Sequence, residues 1–130
     1  MDLFIIIAAA VVAWVAGALW YMMLSGPWVR VSGIQVDNTG KPVNKSPLPY
    51  LVSGIAMVVV AAAMNWLFGL ADVDTLLGGA GTGFVIGALI VTPWVLIDNS
   101  YVSRPLMLTV IDGGYATLAC TLIGTILGAT

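Results

Sequence analysis

The chain offers few side chains that can do chemistry. Among 130 residues there are six aspartates, four lysines or arginines, one cysteine, and no histidine or glutamate. One aspartate stands apart. Asp112 lies in an apolar run, seven residues beyond Pro105. At about 1.5 Å per helical residue, that is roughly 10 Å along a helix. A charged Asp at the centre of a bilayer costs about 2.5–3.5 kcal/mol on insertion scales, so such a residue normally faces protein. Asp112 is also in register with Ala116, Cys120, Gly124 and Gly128 at four-residue steps, which turns it toward a bundle interior. Two chemistries suit it. One is a proton or ion site. The other is a buried carboxylate tying two helices together through a donor such as Arg30, Arg104 or Tyr21. The tie is favoured, because one carboxylate without a second titratable partner makes a poor relay.

Two further polar groups are placed where chemistry or packing would use them. Asn65 sits in another apolar run, on a stripe with Ala61 and Gly69. A hydrogen bond between helices, worth on the order of 1 kcal/mol, is its expected role. Asp98, Asn99 and Arg104 cluster between the last two apolar runs, and an Asp98–Arg104 ion pair is expected there. Pro93 is expected to kink the helix that contains it, with packing absorbing the freed carbonyl.

The rest of the inventory excludes whole classes of function. Without His or Glu the chain lacks the commonest general base, the usual zinc and haem ligands, and the usual axial ligand of a chlorophyll-type pigment. No Ser has a neighbouring His, Cys120 has no base, and a single Cys forms no internal disulfide. Asp72 and Asp74 alone would leave most of a calcium shell empty. The expectation is no enzyme, no metal and no cofactor. Four basic residues also make no phosphate-tracking patch, which excludes nucleic acid as a partner.

The elements that must position these groups follow from composition. Apolar residues make up 61% of the chain and charged residues 8%, and the mean hydropathy is +1.09. A soluble domain has about 45–50% apolar and about 25% charged residues, and so short a chain cannot hide the excess. The chain is therefore expected to be integral to a membrane. Four apolar runs, at about 3–24, 48–71, 76–97 and 106–128, each reach the roughly 20 residues needed to cross a hydrocarbon core. Strand-type alternation is absent. The predicted fold is all-α: one polytopic transmembrane domain over 1–130, a compact four-helix bundle. The first run lacks a basic leader and exceeds the roughly 7–15 apolar residues of a signal peptide, so it is expected to be a mature helix.

The connections set the orientation. Residues 25–47 form the only long loop and carry Arg30, Lys41 and Lys45, while Arg104 lies in the third connection. The stretch from Trp28 to Val36 is half apolar and suits the membrane surface. Asp72-Val73-Asp74 makes a tight turn, with Asp74 or Thr75 as cap of the third helix. Pro105 suits the start of the fourth. All four basic residues fall on one face. By the positive-inside rule both basic loops are cytoplasmic and both termini face the other side. Trp20, Tyr21, Trp28, Tyr50, Trp94 and Tyr101 cluster toward the basic face as interfacial anchors, and Trp66 and Phe68 mark the other.

Small residues recur at four-residue spacing. Gly79, Gly83 and Gly87 form one ladder. Ala116, Cys120, Gly124 and Gly128 form a second, and Ala9, Ala13 and Gly17 a third. Such stripes let helix backbones approach closely. Four helices can use only so many close interfaces internally, so some of these faces are expected to bind a partner, and Gly83→Leu is expected to disperse an assembly.

Two stretches resemble a known family. Gly17-Ala-Leu-Trp-Tyr21 followed by Gly26-Pro-Trp28 is similar to the opening signature of the small bacterial membrane proteins grouped as domain of unknown function 1761. Ile111-Asp112-Gly-Gly-Tyr115, then Leu122-Ile-Gly124 and Leu127-Gly128, resembles that family's last helix. Met22-Met23 follows the Trp-Tyr where the family often has Ser-Pro or Gly-Pro. The resemblance implies the four-helix layout and a bacterial cytoplasmic membrane, and it singles out Trp20, Tyr21, Asp112 and Tyr115. It implies no activity. The expected function is a non-catalytic interaction or scaffold protein in the bilayer. It would be a homo-oligomer or an accessory subunit of a larger membrane complex, such as a respiratory or photosynthetic assembly. The alternative is a small oligomeric channel or carrier with Asp112 and Asn65 lining an ion or proton path.

Overall fold

The structure, a computed structural model, describes residues 3–41 and 46–130. Asp2 and Lys45, counted above among the charged residues, lie outside that range. Helix α1 spans Leu3–Met23, α2 Ser25–Ser32, α3 Leu48–Ala71, α4 Leu76–Val85, α5 Thr92–Tyr101 and α6 Leu106–Ala129. A π-helical turn, Ile86–Val91, joins α4 to α5 in one continuous span, Leu76–Tyr101. That span, α1, α3 and α6 are each long and apolar enough to cross a membrane. The chain is a multi-pass membrane protein.

Two boundaries differ from the sequence expectation. The segment 25–47 is not all loop, because α2 occupies its first eight residues. The Leu24 N–H bonds to the Trp20 carbonyl and the Trp28 N–H to the Leu24 carbonyl, so helical bonding resumes directly after α1. Pro27 falls in the first turn, where its missing N–H is not needed. Gly33, at φ 75°, ends α2 in the left-handed conformation that glycine adopts without strain. The third span does not stop near residue 97 but runs to Tyr101. Nothing between Ile97 and Ser100 breaks a helix, so Asp98 and Asn99 ride on α5 rather than in a loop. The chain turns only at Ser103, where φ is 58°.

The turn at the opposite end is built from polar caps. Asp72 adopts the left-handed conformation and its N–H bonds to the Phe68 carbonyl. The Thr75 hydroxyl accepts from the Gly78 N–H at 3.0 Å, so Thr75 rather than Asp74 caps α4.

Helix α6 is the centre of the molecule. It packs against α1, α4, the π-helical turn and α5, and touches α2 and α3. Its buried residues, from Leu108 to Gly128, are accordingly the most numerous of any helix. One apolar core joins Ile6, Ala9, Ala10 and Ala13 of α1 to Ala61, Met64 and Phe68 of α3 and to Ala119, Cys120, Ile123 and Leu127 of α6.

The glycine ladder closes within the chain. A Cβ at Gly79 would fall on the Gly124 carbonyl, one at Gly83 on the Cys120 carbonyl, and one at Gly87 would meet Thr117 Cα at 2.5 Å. The stripes of α4 and α6 are therefore each other's partners. The α1 stripe is also used internally: Ala9 and Ala13 are fully buried, and a Cβ at Gly17 would lie 2.6 Å from the Tyr115 ring. These small-residue faces are spent on the chain's own fold.

The arrangement is open on one side. Helix α3 packs on α1 and more lightly on α6, whereas the α4–α5 span packs on α6. Among the described residues, α3 and the α4–α5 span share almost no interface beyond the turn that joins them.

Candidate functional site

The residues singled out in the sequence converge where α1, α2 and α6 meet. The Tyr21 hydroxyl donates to Asp112 Oδ1 at 2.6 Å. The Trp20 indole N–H donates to the Ile111 carbonyl at 2.9 Å. The Tyr115 hydroxyl donates to the Ala13 carbonyl at 3.1 Å. The Tyr21 ring stands edge-on to both Tyr115 and Trp28, at centroid distances of 5.6 and 6.1 Å. Asp112 is thus held by one phenol, whose ring packs edge-on against two further aromatic side chains.

Local sequence explains why the site assembles. Trp20 and Tyr21 are adjacent on α1, so one reaches the α6 backbone while the other reaches its side chains. Two glycines make room. Gly17, one turn before Tyr21, receives the Tyr115 ring. Gly114, between Asp112 and Tyr115, receives the Trp20 ring, 2.7 Å from where its Cβ would stand. A larger residue at either place would push α1 and α6 apart.

Chemically, the arrangement is a donor and an acceptor satisfied by each other. The Oδ1 distance is that of a hydroxyl donating to a carboxylate. Tyr115 points its hydroxyl at the α1 backbone rather than at Asp112, so the two tyrosines do not form a continuous chain of exchangeable protons with the carboxylate. The donor is Tyr21, one of the three considered. Arg30 and Arg104 are engaged elsewhere or exposed.

A second polar set lies beside the site on the α5 side of α6. The π-helical turn precedes Pro93, which has no N–H to give. The Thr92 N–H bonds to the Gly87 carbonyl. The Thr92 hydroxyl donates to the same carbonyl at 2.7 Å, and lies 3.2 Å from the Gly113 carbonyl as a second acceptor. The Thr92 hydroxyl thus gives the Gly87 carbonyl a second donor at the π-helical turn. Thr117, Thr121 and Thr125 each bond back to the carbonyl four residues earlier, which leaves no free hydroxyl among them.

The cluster of Asp98, Asn99 and Arg104 pairs differently from expectation. Arg104 donates to the Ser32 carbonyl at the end of α2, and Asn99 donates to the Thr109 hydroxyl at 3.0 Å. Asp98 is exposed, and no ion pair occurs among the described residues. Extension of α5 to Tyr101 is the reason: it turns Asn99 toward α6 and Asp98 toward the outside. The Arg104–Ser32 bond also places the first and third connections on one face.

Asn65 is not part of this site. It is half-buried on α3, six residues before Ala71, and its amide has no hydrogen-bond partner among the described residues. Along the helix it lies roughly 9 Å from the Ala71 end, whereas Asp112 lies a similar distance from the opposite face.

Two residues that the sequence reading passed over have structural work. Thr92 is one. The other is Trp14, whose indole N–H donates to Ser53 Oγ at 3.0 Å and to the Tyr50 carbonyl at 3.1 Å, with its ring over Gly54. A lone Trp in mid-helix and a Thr before Pro were the only signals, and neither names its partner.

The family model for the protein of unknown function DUF1761 matches residues 4–128, nearly the whole chain. The chain belongs to this family. No curated protein and no solved structure matched it. Of the residues that carried the resemblance, Gly17, Trp20, Tyr21, Trp28, Ile111, Asp112 and Tyr115 meet in the α1–α2–α6 site, whereas Gly124 and Gly128 pack against Gly79 of α4.

Proposed function

We propose that this protein is a non-catalytic interaction protein of a bacterial cytoplasmic membrane, a homo-oligomer or an accessory subunit, that presents α3 to a partner helix. The observation that carries the reading is Asn65. Its amide stands within an apolar span without a hydrogen-bond partner among the described residues, and an unsatisfied amide in hydrocarbon is costly. One turn on, Gly69 has nothing within 4 Å of its Cβ position, so a second helix can approach closely there. The basic connections carry Arg30, Lys41 and Arg104, and the opposite turn carries Asp72 and Asp74. The positive-inside rule then sets both termini outside the cytoplasm.

The carrier alternative draws less support. Asp112 is bonded to Tyr21, and the apolar core of α1, α3 and α6 lies between its depth and that of Asn65. The test is native mass spectrometry of the protein gently extracted from its own membrane. A species heavier than one chain is expected for the wild type, lost in Asn65→Leu and in Gly69→Leu. Multiples of one mass identify a homo-oligomer and unlike masses an accessory subunit. A single-chain mass for the wild type refutes the proposal.

A further inference from the structure

We propose that the cavity over α2 binds the headgroup of an anionic phospholipid, with Arg30 and Lys41 as the cations that face its phosphate. The cavity has a volume of about 480 Å³, in the range of small-ligand sites. Val29, Ile34 and Val36 supply an apolar wall, Gly26 lines the first turn of α2, and Arg30 and Lys41 supply the charge. Apolar wall and paired cations are the two halves of a glycerophospholipid's chemistry.

Position favours a lipid over a free phosphate. The cavity opens one residue beyond Leu24, where the α1 span has just ended, so a headgroup in the adjoining leaflet reaches it directly. The Arg30 guanidinium folds back along α2, its Nη1 3.9 Å from the Cβ position of Gly26. No ion pair neutralises either cation among the described residues. Asp37 Oδ1 accepts from the Thr39 hydroxyl, the Thr39 N–H and the Lys41 N–H. The same turn, closed by the Asp37 N–H on the Lys41 carbonyl at 2.8 Å, fixes the backbone of Lys41 beside α2.

The test uses the purified full chain in neutral detergent, titrated with phosphatidylglycerol or phosphatidylcholine and read by native mass spectrometry. One tightly retained phosphatidylglycerol per chain is expected, with phosphatidylcholine lost at the same activation energy. Arg30→Gln combined with Lys41→Gln should weaken retention by about thirty-fold, from about fivefold per basic residue at an anionic surface. Gly26→Leu keeps both charges and fills the cavity, and its side chain has open space to enter, so it should fold and still lose the lipid. Circular dichroism checks the fold of each variant. Three results overturn the proposal: graded binding without saturation, full retention in the folded Gly26→Leu variant, or displacement of the lipid by millimolar inorganic phosphate.

Discussion

Substitution of Gly83 by Ala tests the interface on which the fold depends. The added methyl would fall on the Cys120 carbonyl oxygen, 2.7 Å from its carbon and 3.1 Å from Thr121 Cα. All three atoms are backbone, so no side chain can swing aside. Restoring an ordinary carbon contact of about 3.5 Å requires α4 and α6 to part by about 1 Å, and a gap of that size forfeits a quarter to a half of each neighbouring dispersion contact. Overpacking of this kind costs about 1–3 kcal/mol. A central value of about 2 kcal/mol lowers the folded-to-unfolded ratio roughly thirty-fold. The matched control is Gly81→Ala on the same helix, where nothing lies within 4 Å of the new methyl. The assay is reversible unfolding in dodecylmaltoside micelles titrated with sodium dodecylsulfate, followed by far-ultraviolet circular dichroism. Gly83→Ala should unfold at a distinctly lower detergent fraction and Gly81→Ala near the wild type. Equal midpoints for Gly83→Ala and the wild type would refute the reasoning, because the ladder would then not be a contact of the folded chain.

Three further outcomes are expected. Tyr21→Phe removes the one hydrogen-bond donor to Asp112 among the described residues and should lower stability by about 1–2 kcal/mol. Asp112→Asn keeps an acceptor for Tyr21 and should lose less than half of that, and the reverse ranking in the same assay would contradict the tie. Arg104→Met frees the Ser32 carbonyl, so amide exchange should quicken in α2 while the centre of α6 stays protected. Uniform quickening would mean that the bond is not local to α2. At the surface, the Thr39 hydroxyl, then the Lys41 and Thr39 N–H groups, hold the Asp37 carboxyl below the usual carboxylate range. The turn it forms should be complete above about pH 4 and weaken as pH falls through the lowered value. The Thr39 amide resonance read against pH checks this, and Asp37→Asn should flatten the response.

Much of the fold was legible because hydrocarbon imposes one rule on every residue of a span. Runs of at least 20 apolar residues have to be helices, and three of the four spans begin and end within a residue or two of the reading from composition. The third continued to Tyr101 because hydropathy stops at the membrane edge while a helix stops only where its hydrogen bonding does. The same reason hid α2: a polar segment with Gly26 and Pro27 reads as loop, yet both residues are tolerated in a first helical turn. Along the stripe of Asp112, Ala116, Cys120, Gly124 and Gly128 the last three are buried and the first two half-buried, since spacing determines which residues share a face.

The sequence by itself determined that this is a four-span membrane protein and that Asp112 is the exceptional residue within the spans, while the family resemblance singled out Trp20, Tyr21 and Tyr115. Length, periodicity and the cost of burying charge are properties of a chain segment, and they can be read from it. Only the tertiary structure decided the partners. Asp112 takes Tyr21 rather than an arginine, Arg104 takes the Ser32 carbonyl rather than Asp98, and the ladder of Gly79, Gly83 and Gly87 closes on α6 of the same chain. Each of these contacts depends on which helices lie side by side and at what rotation, and the spacing of residues along one helix carries no information about its neighbour.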